Sequence, residues 1–443
     1  MRWATLAAFG ATTMIGTSGC PKLSPFSCDD DDQCDRAQDG VCVDNECAYP
    51  DPECPGTMLR YSPNAGAVAN VCVPPAHADT GSGTLVATSE SSTSGGIAGC
   101  GTTRELQLEA GVLGSTSLPG YPALILVPAD AGLADEAASD ASDVWFAAED
   151  GTVLPHEIDT WDPTSGALAA WVRLPGWQVG TPLVVVVHVG DAASAPVADP
   201  TAVWGDTFAG VWHLGDPLND GRMDLMRDST MLANHGYAVG DMTADQRVTG
   251  VIGGALQFDG VDDEVQIDAA FTGMLGSFTI TAWVRIDGDD TVAHPLFQQL
   301  NGTLFPRCRR LPAEAGGNVF CQLELEAEAE LLQVGASDDA FTDGTLRHFA
   351  LVYDASTGEA RLIVDGEQVD SGTATAAVPP VGGTDRFGLG RIEEFGTLDG
   401  MLDEVRISLA VLDPAWIAAD YRVQGMPANL VVAVGPAQPW SCP

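Results

Sequence analysis

Residues 253–267, GGALQFDGVDDEVQI, and residues 276–286, GSFTITAWVRI, decide the fold class. In the first, Phe258 and Val265 flank an Asp-Gly turn; in the second, Phe278, Ile280, Ala282 and Val284 alternate with Thr279, Thr281 and Trp283. A two-residue period of this kind marks a strand with one face on a core. Outward from it, 104–110 (RELQLEA), 122–127 (PALILV), 168–174 (LAAWVRL) and 183–189 (LVVVVHV) are strand-length runs bounded by turn residues, and 143–158 (DVWFAAEDGTVLPHEI) reads as two strands around an Asp-Gly turn. Val364-Asp365-Gly366 is a hairpin signal. Asp413-Pro414 opens the one convincing helix, as N-cap and first-turn proline. The chain therefore reads as all-β.

Charge and cysteines bound what such a chain can do. The net charge is −43, and Lys22 is the single lysine among 19 basic residues, too little positive surface for a phosphate backbone; nucleic acid is not an expected partner. Acidity of this order suits attraction of divalent ions, or reflects a lineage-wide compositional bias. The first residues carry Arg2, an apolar run over 3–16 that is short for a membrane span, and Thr17-Ser18-Gly19-Cys20, the pattern of a secretory signal.

Cysteine after small residues resembles the lipobox of bacterial lipoproteins, although Thr17 stands where leucine is usual. The resemblance implies removal of 1–19, lipidation of Cys20, and a place in the cell envelope as an outer-membrane lipoprotein. The alternative is cleavage nearby and secretion, with Cys20 an ordinary half-cystine. Eleven cysteines less Cys20 leave an even set. Six of them (Cys28, Cys34, Cys42, Cys47, Cys54, Cys72) fall in a disulfide-stapled segment, 20–75, whose connectivity stays open; no pair there has zinc-finger spacing. Cys308 is expected to pair with Cys321 and, by elimination, Cys100 with Cys442. Residues 76–99, rich in Ser, Thr and Gly, form a linker.

The series DVWFAAEDGTVLPHEIDTWDP, LAAWVRLPGWQVGT and VVVVHVGDAASAP resembles an uncharacterised bacterial β-sandwich family over about residues 104–200. It implies architecture and no chemistry. The later series GVWHLGD (210–216), MRDSTMLANHGYAVG (226–240), the stretch quoted at the outset, RHFALVYDASTGEARLIVDGEQVDSG (347–372), RFGLGRIEEFGTLDGMLDEVRIS (386–408) and LDPAWIAADYR (412–422) resembles the concanavalin A-like, laminin-G-like jelly roll of bacterial surface proteins. The expectation is two consecutive β-sandwiches, 100–205 and a jelly roll 206–424, with a C-terminal tail 425–443.

A glycosidase of the laminarinase type would share the jelly roll. In QLELEAEAELL (322–332), Glu324, Glu326, Glu328 and Glu330 lie on one face of a strand, where i,i+2 carboxylates stand roughly 6.6 Å apart against the about 5–5.5 Å of a retaining pair. A half-exposed strand explains the pattern, and no enzyme is expected. No nucleophile elbow, HExxH motif or phosphate-binding glycine loop occurs. His213 and His348 sit in apolar runs and read as core or edge residues. Trp161, Trp171 and Trp177 read as packing, with stacking on a sugar ring as the functional alternative. The laminin-G-like resemblance implies a calcium ion, with Asp228, Asn234 and Asp403 as ligands. The rival reading makes Asp228 a turn cap and Asp403 a strand residue. Together these features predict a lipid-anchored binding protein whose jelly roll recognises a glycan or a surface protein, with a purely structural envelope protein as the competing class.

Overall fold

The computed structural model describes residues 41–43, 46–50, 59–61, 101–177, 183–190, 195–218, 224–267, 276–288, 291–299, 304–315, 318–325, 329–336, 341, 344–374, 386–392 and 395–440. Cys20, Cys100, Cys442, the signal segment and the linker lie outside them. The chain divides into two compact units, Met1–Gly95 and Gly96–Pro443. The first holds a three-stranded antiparallel sheet, Val41–Val43, Glu46–Pro50 and Leu59–Tyr61, in which Cys42 stands opposite Cys47. Among the described residues no helix is long and apolar enough to cross a membrane.

The second unit is all-β and contains both sandwiches. In the first, one sheet runs Val431–Val434, Gly101–Leu108, Leu183–Val189, Trp145–Ala148, Val153–Leu154, and the other Pro122–Val127, Ala167–Arg173, His156–Asp162. Their apolar faces share one core around Leu106, Leu124, Phe146, Trp171 and Val185. The Asp150-Gly151 turn joins two paired strands, as expected. The C-terminal tail does not stay a tail. Val431–Val434 and Gln438–Trp440 both pair with Gly101–Leu108, which would otherwise expose an edge of unpaired N–H and C=O groups.

The jelly roll stacks two eight-stranded sheets, with Phe278–Ile286 and Asp399–Ser408 adjacent in one and His294–Gln299 and Leu304–Arg310 adjacent in the other. Phe278, Ile280, Ala282 and Val284 face its core, as their alternation predicts. The intervening Trp283 is buried too, donating from Nε1 to Gln424 Oε1 at 2.7 Å on the helix Pro414–Gly425. Asp413 caps that helix by accepting from the Ala415 amide. Phe258 and Val265 are both core residues, but their strands, Gly254–Asp259 and Glu264–Ile267, belong to different sheets, so the Asp-Gly turn crosses the sandwich.

Cys308 and Cys321 are opposite one another across a ladder and form a disulfide, the expected pair. Closing a loop of this size contributes about 3 kcal/mol in the chain-entropy account. Residues 322–332 depart from the reading of a single strand. Val319–Leu325 ends and Ala329–Gly335 returns beside it, with Glu324 opposite Glu330. Glu326 and Glu328 lie outside the described residues, and the same-strand spacing argument does not apply to Glu324 and Glu330, which stand on different strands.

The core of the first sandwich takes in residues past its expected end. Phe208, Val211, Ile252, Ala419, Val423 and Leu430, all beyond the expected boundary at 205/206, pack in the core of the first. The helix Pro414–Gly425 is apolar on both sides for this reason: Ile417 faces Val352 and Ile363 of the jelly roll, Ala419 and Val423 the first sandwich.

Candidate functional site: a carboxylate-rich cleft where the sandwiches meet

Two bulged strands build the cleft. His156–Asp162 pairs with Ala167–Arg173 through Ile158↔Ala170 and then Thr160↔Ala169, which leaves Asp159 as the extra residue. Asp399–Ser408 slips in the same way against Phe278–Ile286, between Arg406 and Asp403, and Glu404 inside the slip has φ +51°. A bulge re-aims a side chain, and a non-glycine residue in the left-handed region costs on the order of 1 kcal/mol or more. Both acids are thereby turned toward His213, which follows the strand Phe208–Trp212.

His213 is held between carboxylates. Its Nδ1 is 2.7 Å from Glu404 Oε1 and 3.9 Å from Asp159 Oδ2; its Nε2 is 3.4 Å from Glu157 Oε2. Glu157 is itself fixed, accepting from Trp204 Nε1 at 2.8 Å and from the Ser229 hydroxyl. Glu404 Oε2 accepts from Arg406 Nη2 at 2.8 Å, and the Arg406 guanidinium lies over the rings of Trp171 and Trp204 at 4.4 and 4.6 Å. Beyond it, Arg406 Nη1 stands 3.7 Å from Asp420 Oδ1, which accepts from the Tyr121 hydroxyl. The first sandwich supplies Tyr121, Glu157, Asp159, Trp171 and Trp204; the jelly roll supplies the rest. Glycines permit the approach: a Cβ at Gly250 would lie 2.3 Å from Asp403 Oδ2, and one at Gly253 2.6 Å from Asp159 Oδ1.

The acids divide by environment. Burial pushes Asp159 up to about 6, with the charges of Glu404 and Glu157 adding to it and His213 opposing. Burial and Glu404 raise Asp403 far above the usual carboxylate range. For Glu157 and Glu404 burial acts the same way, but His213, with Arg406 beside Glu404, outweighs it and holds both below normal. Burial disfavours the His213 charge, and Glu404 and Glu157 overcome it, holding the imidazole well above its ordinary value. The reading of His213 as a plain core residue is thus corrected. It is the hub of a charged network.

The cleft opens into a cavity of about 250 Å³ lined by Glu157, Asp159, His213, Asp216, Arg227, Ser229 and Arg247. A second cavity, about 400 Å³, adjoins it and is mostly apolar, with Leu126, Val127, Trp161, Asp162, Leu168 and Val431 on its walls. Thr160 borders both, so one strand runs between a charged cleft and an apolar groove. Trp161 is half-buried there, and its Nε1 has no hydrogen-bond partner, whereas Trp171 and Trp177 are core.

Residues 259–418 match the concanavalin A-like lectin/glucanases superfamily. Residues 140–215 match a domain of unknown function, DUF2341, a span that takes in Glu157, Asp159 and His213, while Glu404 and Arg406 fall in the jelly-roll match. No curated protein matches the chain. Among solved structures the chain is similar to the receptor binding domain of botulinum neurotoxin D (11% identity, 49% of this chain and 53% of that one, TM-score 0.37) and to the binding domain of Paraclostridial Mosquitocidal Protein 1 (12%, 47% and 52%, 0.36). It is also similar to the botulinum neurotoxin serotype D ligand binding domain in complex with N-acetylneuraminic acid (12%, 49% and 51%, 0.37). The chain spans about half the length of these structures.

The expected calcium ligands are not brought together as a set. Asp228 is buried, and four donors take its oxygens: the amides of Val211, Thr230 and Asn234 and the Thr230 hydroxyl, at 2.7–2.9 Å. A carboxylate has about four lone-pair positions, so nothing is left for a cation. Asn234 donates from Nδ2 to the Ala209 carbonyl. Asp403 shares no partner with either. Its Oδ2 accepts from Val251 and Ile252, and its Oδ1 is buried without a hydrogen bond. The rival sequence reading, a turn residue and a strand residue, describes Asp228 and Asp403 better. The all-oxygen cluster among the described residues is instead Asp259, Asp262 and Asp263, in the turn that crosses the sandwich. Asp263 Oδ1 there is buried and unpartnered, and burial raises its carboxyl to about 6, with Asp259 adding charge.

Sequence reasoning missed Glu157, Asp159, Glu404 and Arg406. Their signal was present as charge inside otherwise apolar strands, in LPHEIDT and MLDEVRI. Its meaning depended on two bulges and on an approach of segments more than 180 residues apart.

Proposed function

We propose that the chain is a surface-anchored recognition protein that binds a glycan along the strand His156–Asp162, where the two sandwiches meet. One observation carries the reading: this strand borders a charged cleft on one side and an apolar groove with a half-exposed tryptophan on the other. A sugar presents the same duality, hydroxyls along its rim and C–H groups on its face, so Trp161 stacks the ring and Glu157, Asp216, Arg227 and Arg247 take the hydroxyls. The concanavalin A-like lectin/glucanases match supports the class and leaves the sugar open. The expected recognition surface thereby moves from the jelly roll alone to its junction with the first sandwich. Anchoring rests on the sequence around Cys20, and acyl groups on that cysteine in membrane-extracted protein are the expected mass-spectrometric result.

A glycan array probed with the full chain tests the reading. Binding that Trp161→Ala abolishes without changing the melting temperature supports it. Binding that survives this substitution, or no binding to any glycan, overturns it in favour of a protein partner or a structural envelope role; release of glycan products would show an enzyme.

A further inference from the structure

The described residues contain a second kind of ligand set, independent of any sugar. Asp159, His213 and Glu404 come from three separate segments and two sandwiches, and one ligand atom from each lies within 4.8 Å of the others. We infer that they form a binding site for a first-row divalent transition cation, of which zinc is the representative.

The donor chemistry selects the ion. One imidazole nitrogen and two carboxylate oxygens are a mixed set suited to zinc, manganese or cobalt, whereas calcium asks for six to eight oxygens and accepts imidazole poorly. Ligands around zinc stand roughly 3.4 Å apart when bonds are about 2.1 Å in tetrahedral geometry. The distances from His213 Nδ1, 2.7 Å to Glu404 and 3.9 Å to Asp159, bracket that value. Asp159 and His213 line the cavity, which leaves a side open for water or a ligand.

The surroundings are those of a metal site rather than of a simple ion pair. A metal-bound histidine gives its other ring N–H to a carboxylate, and here His213 Nε2 faces Glu157, which Trp204 and Ser229 hold in place. The free oxygen of Glu404 is fixed by Arg406. A separate observation favours a cation here. Asp403 is fully buried, its Oδ1 has no hydrogen-bond partner, and its charged neighbours are Glu404 and Asp159. The carboxyls of Glu157, Asp159 and Glu404 thus converge on the His213 imidazole, and those of Glu404 and Asp420 on the Arg406 guanidinium, with Asp403 beside Glu404 and Asp159. Binding breaks the His213 Nδ1–H bond and forms Nδ1–metal, Asp159–metal and Glu404–metal bonds. The displaced proton leaves to solvent, and Nε2 keeps its hydrogen toward Glu157.

Zinc titrated into the metal-free full chain by calorimetry, with metal content measured after dialysis, tests this. The expected result is one equivalent retained, a visible ligand-field spectrum when cobalt replaces zinc, and no retention of calcium at this site. Asp159→Asn, at the cavity wall, should lose the equivalent while near-ultraviolet circular dichroism stays native. Glu157→Gln should keep the stoichiometry and weaken binding about 10–100-fold. Absence of retained metal in the wild-type chain, or retention with unchanged affinity in Asp159→Asn, overturns the inference.

Discussion

The loop carrying Asp228 and the turn carrying Asp259, Asp262 and Asp263 both place aspartate carboxylates in the jelly roll. They differ in what they already hold. Asp228 receives four short hydrogen bonds, three from backbone amides, and organises its loop without an ion. In the other turn three carboxylates approach one another, and Asp263 keeps a buried oxygen without a donor. A carboxylate's place in a motif therefore says less about metal binding than a count of the donors around it does. The junction follows the same rule, since Asp403 there keeps a buried oxygen without a donor.

The largest expected effect comes from removing the saturated acid. Asp228→Ala strands the buried amides of Val211 and Thr230 and the part-buried amide of Asn234, and each buried unsatisfied group costs about 1–3 kcal/mol. With partial relaxation the loss is on the order of 3–4 kcal/mol in denaturant unfolding. A loss within 0.5 kcal/mol, the rough size of a neutral surface change, would show the loop is held by something else.

Calcium separates the two segments directly. If the ion binds at Asp259, Asp262 and Asp263, it stabilises the fold by up to about 2.7 kcal/mol at a hundredfold excess over Kd. Calcium should raise the melting temperature of the wild type and of Asp228→Asn alike, and leave Asp263→Asn unmoved. A calcium shift that disappears in Asp228→Asn and persists in Asp263→Asn would restore the original assignment.

The histidines extend the contrast. His213 has acid on both sides, whereas His348 lies buried against Trp283 and Tyr421 with Nδ1 unpartnered, and burial, with Arg406 adding to it, pushes its pKa down to about 3. The unfolded chain then takes up the proton first. Stability from neutral His348 is complete above roughly pH 6.5 and is lost as pH falls from there toward 3, about 2 kcal/mol by pH 5. His348→Phe should flatten that part of the stability profile relative to wild type. Parallel profiles for the two proteins would remove His348 from the account.

Most of the fold was legible because it is written locally. Alternation in Phe278–Ile286, the Asp150-Gly151 turn, the cap at Asp413 and the Cys308–Cys321 pair each need a few neighbouring residues. The return of Val431–Val434 to the first sandwich was hidden, because a short apolar run after a helix does not say which strand lacks a partner. The Glu-rich segment 322–332 concealed the parts of two antiparallel strands, since the alternation of its sequence does not break between them. The cleft was least legible. Asp159 and Glu404 reach His213 through bulges, and a residue inserted in a ladder leaves no mark in the spacing of the strand that carries it.

Hydrogen exchange of the full chain, with and without the glycan that gives the strongest array signal, tests the central claim most directly. The account predicts slowed exchange in residues 156–162 and 213–217, the two walls of the junction cleft. Protection confined to other loops of the jelly roll, with 156–162 exchanging as in the free chain, would contradict it.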